Sequence, residues 1–176
     1  MNSDMKLIRQ MRQGEEDAFD CFVHKYYEDI LRYCIYHCAD KEEAKDLTQE
    51  TFLRFFSSLD LYVHKGKAKN YLYTIARNLC SNYYKKERYR TAWLAEKETV
   101  YEVPEYDLST RITIRMCLDR LPEELREVVI LYYYQELKQT EVASVLGIGL
   151  PLVKYRLKKA KAQLKIMLGT EGQHGY

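Results

Sequence analysis

The stretch Gln139-Thr-Glu-Val-Ala-Ser-Val-Leu-Gly-Ile-Gly-Leu-Pro-Leu-Val-Lys-Tyr-Arg-Leu-Lys-Lys-Ala-Lys-Ala-Gln-Leu164 decides the fold of its half of the chain. Its first part, Gln139–Leu146, reads as a short helix with Val142, Ala143 and Leu146 inward. Gly147 then permits a sharp left-handed turn, Ile148 plugs the turn, and Pro151 opens the next helix. Val153, Leu157, Ala160, Leu164 and Leu168 recur at helical spacing and form that helix's expected buried face. Two helices around a short glycine-containing turn make a helix-turn-helix pattern.

The register of the second helix sets its charge. With Val153, Leu157 and Ala160 inward, Tyr155, Lys158 and Lys159 point away from the core, and Lys154 and Arg156 flank them. A DNA major groove admits one helix, and Lys or Arg there donates to guanine edges or to phosphates. A lysine-rich solvated face would have the same composition; the agreement of turn, register and charge favours DNA.

Working outward, the rest of the chain is helical in pattern, with no β alternation and no internal repeat. A short first helix is expected near 5–13, ending at Gly14. Phe19, Phe22, Val23, Tyr26, Ile30, Leu31, Cys34 and Cys38 mark a long amphipathic helix. Asp40 caps the next, with Glu43 three residues on, and Ala44, Leu47, Phe52, Phe55 and Leu59 inward. Residues 60–70 are polar, contain Gly66 and read as a loop. A fourth helix follows, with Leu72, Ile75, Ala76, Leu79 and Tyr83 on one face. Periodicity fades over 91–108, which hold Pro104 and an acidic cluster. It returns near Ser109, and after Pro122 a stripe of Leu125, Val128, Val129 and Tyr132 begins. The expected architecture is all-α: two small helical domains at 1–90 and 109–169, a flexible acidic linker at 91–108 and a tail at 170–176.

The 176 residues carry a formal net charge of only +2, but the charge is segregated. Lys65, Lys67, Lys69, Arg77, Lys85, Lys86, Arg88 and Arg90 make one basic run, and Lys154 to Lys165 another, on either side of the acidic stretch. Two basic patches point to a polyanion. No apolar run reaches the roughly 20 residues of a membrane span, and the N-terminus lacks a signal-peptide core, so a cytoplasmic location is expected. The five cysteines then read as reduced thiols. Cys34, His37 and Cys38 are a conceivable zinc cluster, but two of them fall on the buried stripe, and core cysteine is the favoured reading. No nucleophile–base set or glycine-rich phosphate loop stands out; neither an enzyme nor a cofactor is expected.

Three further segments carry a resemblance. Leu121-Pro-Glu-Glu-Leu-Arg-Glu-Val-Val-Ile-Leu-Tyr-Tyr-Tyr134 with the helix-turn-helix resembles region 4 of extracytoplasmic-function sigma factors. Asp40-Lys-Glu-Glu-Ala-Lys-Asp-Leu-Thr-Gln-Glu-Thr-Phe52 and Asn70-Tyr-Leu-Tyr-Thr-Ile-Ala-Arg-Asn78 resemble the region 2 helices that dock on polymerase and read the minus-ten element. The resemblance spans the chain except linker and tail. It implies a protein that brings core RNA polymerase to promoters and helps open them. It places Asp46, Gln49, Glu50 and Leu53 on the polymerase, and Tyr62, His64, Lys65, Lys67, Tyr71, Arg77 and Asn78 on minus-ten DNA. Lys154, Tyr155, Arg156, Lys158 and Lys159 would meet the minus-thirty-five element. It also implies an anti-sigma factor, often membrane-bound, as a third partner. The sequence departs from the family at Tyr71, commonly Trp, and at Pro151, Leu152 and Tyr155, where a hydroxyl cap and a small Ser are usual. A helix-turn-helix regulator that does not bind polymerase is the alternative reading.

Overall fold

The computed structural model describes residues 3–38, 40–64, 67–93 and 108–171, and all the regular structure among them is helical. The chain divides into two compact units, Met1–Leu94 and Ala95–Tyr176.

In the first unit, α1 (Ser3–Arg12) packs on α2 (Glu16–His37), and α2, α3 (Lys41–Ser57) and α4 (Ala68–Trp93) pack on one another. Gly14 takes φ +80 and turns the chain between α1 and α2, as expected of a glycine there. Asp40 caps α3 by accepting the amide of Glu42 at 3.0 Å. The core is aromatic. Phe22 is wholly buried, stacks on Phe55 at 4.7 Å and meets Tyr26 edge-on at 5.1 Å. Tyr33 and Tyr73, also wholly buried, meet at 5.5 Å between α2 and α4. Rings in such tilted and offset pairs contribute beyond their buried area. Thr48 and Thr51 are buried too; each hydroxyl donates to the carbonyl four residues back, which removes the cost of burying it.

Two boundaries differ from the sequence reading. The loop is shorter, because α4 begins at Ala68. At its other end α4 runs to Trp93, three residues into the expected linker; nothing from Ala68 to Trp93 is Gly or Pro, so no residue stops it. The rest of the acidic stretch lies outside the described residues.

In the second unit, α5 (Leu108–Arg120), α6 (Glu123–Val129) and α8 (Leu150–Glu171) build a core of Leu118, Leu121, Leu125, Val129 and Ala160, and α7 (Gln139–Leu146) packs on α8. Between α6 and α7, Ile130–Tyr134 widens into a π-helix, with the Gln135 amide donating to the Ile130 carbonyl at 3.0 Å. This corrects the predicted stripe: the wider turn buries Leu131 completely and leaves Tyr132 only half-buried. The expected face of α8 also ends early. Leu164 and Met167 pack on the core, but Leu168 is exposed. In α7 it is Val145 that is buried, while Leu146 is half-buried.

Candidate functional site

Three surfaces carry the residues singled out above. The first is on α3. Its inward face uses Ala44, Thr48, Thr51, Phe52 and Phe55, which leaves Asp46 and Gln49 exposed and Leu53 60% exposed. An apolar side chain this open, on a helix whose other face is fully packed, is an informative exception. Leu53 and Gln49 border a shallow apolar groove completed by Val23, Tyr27 and Phe52. Glu50, half-exposed, pairs with Arg54 at 2.7 Å within the helix, a surface pair of small energetic weight. Val23 belongs to the expected core stripe and Tyr27 to no expected set; their half-burial beside Leu53 makes both part of this surface. Their i, i+4 spacing on α2, next to a core position at Tyr26, was the available signal.

The second surface lies on the loop and the start of α4. Tyr71 is 36% exposed, and its ring stacks on Tyr62 at 5.0 Å with an interplanar angle of 28°. Tyr62 is itself buried, and its ring also meets Phe55 at 5.2 Å. Tyr62 thus presents little of its ring to solvent and backs Tyr71, the ring that solvent reaches. His64 is half-buried, with Nδ1 3.2 Å from the Tyr62 hydroxyl. Lys67 is exposed; Lys65 lies outside the described residues. Lys69, counted with the basic loop, is tied to Asp29 at 2.6 Å. Asn78 is exposed and Arg77 half-buried. Tyr71 and Asn78, seven residues apart, share one face of α4. Asn82 and Lys85 continue that face and are exposed; the sequence reading did not place Asn82 there.

The third surface is the helix-turn-helix. Gly147 adopts φ 64 and ψ 32, and the Ile148 amide donates back to the Ala143 carbonyl at 3.1 Å, closing α7. Glu141 accepts the Lys138 amide at 2.8 Å at the other end of α7. The start of α8 has no hydroxyl cap. Instead the Gly149 carbonyl accepts the amides of Leu152 and Val153, and Pro151 brings no N–H to satisfy. Val153 and Ala160 are fully buried and Leu157 nearly so, which turns Lys154, Tyr155, Lys158 and Lys159 outward. Arg156 is half-buried at the flank. Tyr155 is 59% exposed, and the Lys159 ammonium lies 6.0 Å from its ring centroid, so the two form one aromatic and cationic projection.

The cysteines take a structural place. All five are free thiols, and Cys34, Cys38, Cys80 and Cys117 are buried. The Cys80 thiol donates to Cys34 at 3.9 Å, which lowers the Cys34 pKa and raises that of Cys80. Among the described residues no three metal-ligating side chains converge.

Comparison with known proteins covers both units. Residues 22–90 match the family model for sigma-70 region 2, and residues 111–164 match that for sigma-70 region 4. The chain is 32% identical over 157 residues to the RNA polymerase sigma factor YlaC of Bacillus subtilis, covering 85% of this chain and 91% of the relative. It is 30% identical over 178 residues to the ECF RNA polymerase sigma factor SigW of the same organism, covering 93% and 95%. The fold is shared with CnrH, solved in complex with the cytosolic domain of CnrY, at a TM-score of 0.76 and 22% identity, covering 96% of this chain and 99% of that one. It is also shared with RpoE of Bartonella quintana, solved with the anti-sigma factor NepR, at a TM-score of 0.66 and 21% identity, covering 86% and 96%. With both region models matched in order and relatives aligned over nearly their whole length, the chain belongs to the extracytoplasmic-function RNA polymerase sigma factors.

Proposed function

We propose that this sigma factor divides its work among the three surfaces. Region 2, residues 1–90, docks on core RNA polymerase through Asp46, Gln49, Glu50 and Leu53 and meets the minus-ten element through Tyr71, His64, Lys65, Lys67, Arg77 and Asn78, with Tyr62 as support. Region 4, residues 109–169, meets the minus-thirty-five element through Lys154, Tyr155, Arg156, Lys158 and Lys159. Residues 91–108 act as an acidic linker and 170–176 as a tail. The chain is not an enzyme; polymerase carries the chemistry. It acts in the cytoplasm, and no helix among its described residues is long and apolar enough to cross a membrane. By analogy with RpoE, solved with NepR, an anti-sigma factor holds it inactive until a stress signal arrives; a membrane-bound one would keep it at the membrane.

The observation that carries the docking assignment is Leu53, 60% exposed beside an apolar groove in a family that works on polymerase. Replacing Gln49 and Glu50 with Lys and Leu53 with Ala should abolish core binding while leaving the helical signal and melting temperature nearly unchanged, because surface substitutions of this kind usually stay within about 0.5 kcal/mol. A well-folded triple variant with normal polymerase affinity would refute the assignment.

A further inference from the structure

Helix α1 sends two charged side chains to the segment between α3 and α4. Arg12 lies 47 residues from Leu59 and 50 from Tyr62, yet its guanidinium donates to both their carbonyls: Nε and Nη2 to Leu59 at 3.1 and 2.9 Å, and Nη2 also to Tyr62. Those carbonyls stand past the end of α3, outside its hydrogen-bond ladder; Leu59 keeps one turn bond, from the Tyr62 amide at 3.3 Å, and the guanidinium adds to it. A planar guanidinium suits two carbonyls at once in a way an ammonium does not.

Asp4 acts at the far side of the same segment. It is 5% exposed and accepts hydrogen bonds from the Tyr26 hydroxyl at 2.6 Å and from the Lys25 ammonium. Its second oxygen lies 3.4 Å from the amide of Ala68, the first residue of α4, where the positive end of that helix favours a carboxylate. Asp4 and Arg12 stand about 12 Å apart along α1, at 1.5 Å per residue. One rigid helix therefore fixes both the backbone of Tyr62 and the start of the helix that carries Tyr71. Tyr62 and Tyr71 are the two stacked rings of the second surface.

We propose that Asp4 and Arg12 are positioning residues for minus-ten recognition, α1 serving as a brace that holds Tyr62 beneath Tyr71 and so sets the ring face and the Asn78 amide at which an unpaired base is received. This rests on the reading above that Tyr71 and Asn78 meet minus-ten DNA. Neither Asp4 nor Arg12 touches the base; each acts through the ring pair.

The test uses the full chain bound to core polymerase. The probe is a single-stranded non-template oligonucleotide spanning the minus-ten element, with 2-aminopurine at the captured base. Arg12→Gln and Asp4→Asn should each weaken oligonucleotide binding about tenfold, the order of one base–aromatic stack, and dampen the 2-aminopurine signal. Core affinity and binding of duplex minus-thirty-five DNA should be unchanged. Arg12→Lys should behave like Arg12→Gln. Normal oligonucleotide binding by both variants, with Asn78→Ala weak, would overturn the brace while sparing the minus-ten reading. Normal binding by Asn78→Ala and Tyr71→Ala would remove that reading and the brace with it. A parallel loss of core affinity in Arg12→Gln and Asp4→Asn would make them ordinary stabilising residues and would also overturn the proposal.

Discussion

Placing serine at each of the two glycines of the helix-turn-helix should change stability in different directions. Gly147 sits at φ 64, and a Cβ there meets nothing within 4 Å, so the whole cost of a side chain is conformational. A left-handed L-residue costs roughly 1–2 kcal/mol. The lower entropy of the unfolded chain returns about 0.4–1 kcal/mol, leaving a net loss of about 1 kcal/mol. Gly149 is outside the left-handed region, and its added Cβ would stand 3.6 Å from Pro151 Cδ, an ordinary contact. Its carbonyl accepts the Val153 amide, which makes it the N-cap of α8, where serine is preferred over glycine by a few tenths of a kcal/mol. In a unit of this size 1 kcal/mol moves the melting temperature by about 4–8 °C. Gly147→Ser should therefore melt several degrees lower and Gly149→Ser at or slightly above wild type, followed by circular dichroism and by amide exchange in α7 and α8. Neither change touches Tyr155, Lys158 or Lys159, so the ratio of specific to non-specific DNA affinity should hold in both. Equal shifts for the two variants would refute the assignment of the turn and of the cap.

On the recognition helix, Lys159→Ala should cost about 1–3 kcal/mol and relax preference at one base position, whereas Arg156→Ala should weaken all sequences alike and reduce the salt slope by about one unit; a randomised upstream element titrated at several salt concentrations separates the two. Tyr155→Ser should lose affinity as well, because the ring shares its projection with Lys159; equal, sequence-blind losses from all three would leave the helix a purely electrostatic role. Acid should loosen the first unit through Asp4. Burial raises its pKa, but the hydrogen bonds from Lys25 and Tyr26, the charge of Lys25 and the Ala68 amide outweigh it and hold the carboxyl below its ordinary value. A lowered folded pKa contributes stability that is complete above the unfolded value near 3.9 and is lost as pH falls through the folded one. The melting-temperature gap between wild type and Asp4→Asn should accordingly narrow below about pH 4; a gap constant from pH 7 to pH 3 would contradict this.

What the sequence disclosed follows from the range of the interactions involved. The turn at Gly147, the cap at Asp40 and the inward set Val153, Leu157 and Ala160 depend on residues a few positions apart, and periodicity reveals them. The outward position of Leu53 and Gln49 follows from the same counting. The burial of Tyr62 is not legible in the sequence because it is decided by Phe55 and Tyr71, brought together only when α3 and α4 pack. Leu131 displaced Tyr132 from the core because a π-helical segment breaks the 3.6-residue period on which the stripe was drawn. Asp4 and Arg12 gave no signal at all: on a short amphipathic helix they look like solvated charge, and their partners lie 21 to 64 residues away.

The most direct test of the central claim is promoter opening by the reconstituted holoenzyme. The purified chain is mixed with core RNA polymerase and a genomic promoter library, and permanganate reactivity is mapped on the fragments retained. The account predicts a shared pair of upstream and minus-ten motifs, with thymines at the minus-ten element reactive only when chain and core are both present. Binding of the chain to DNA through the upstream motif, with no association with core and no reactive thymines, would make it a helix-turn-helix regulator and contradict the account.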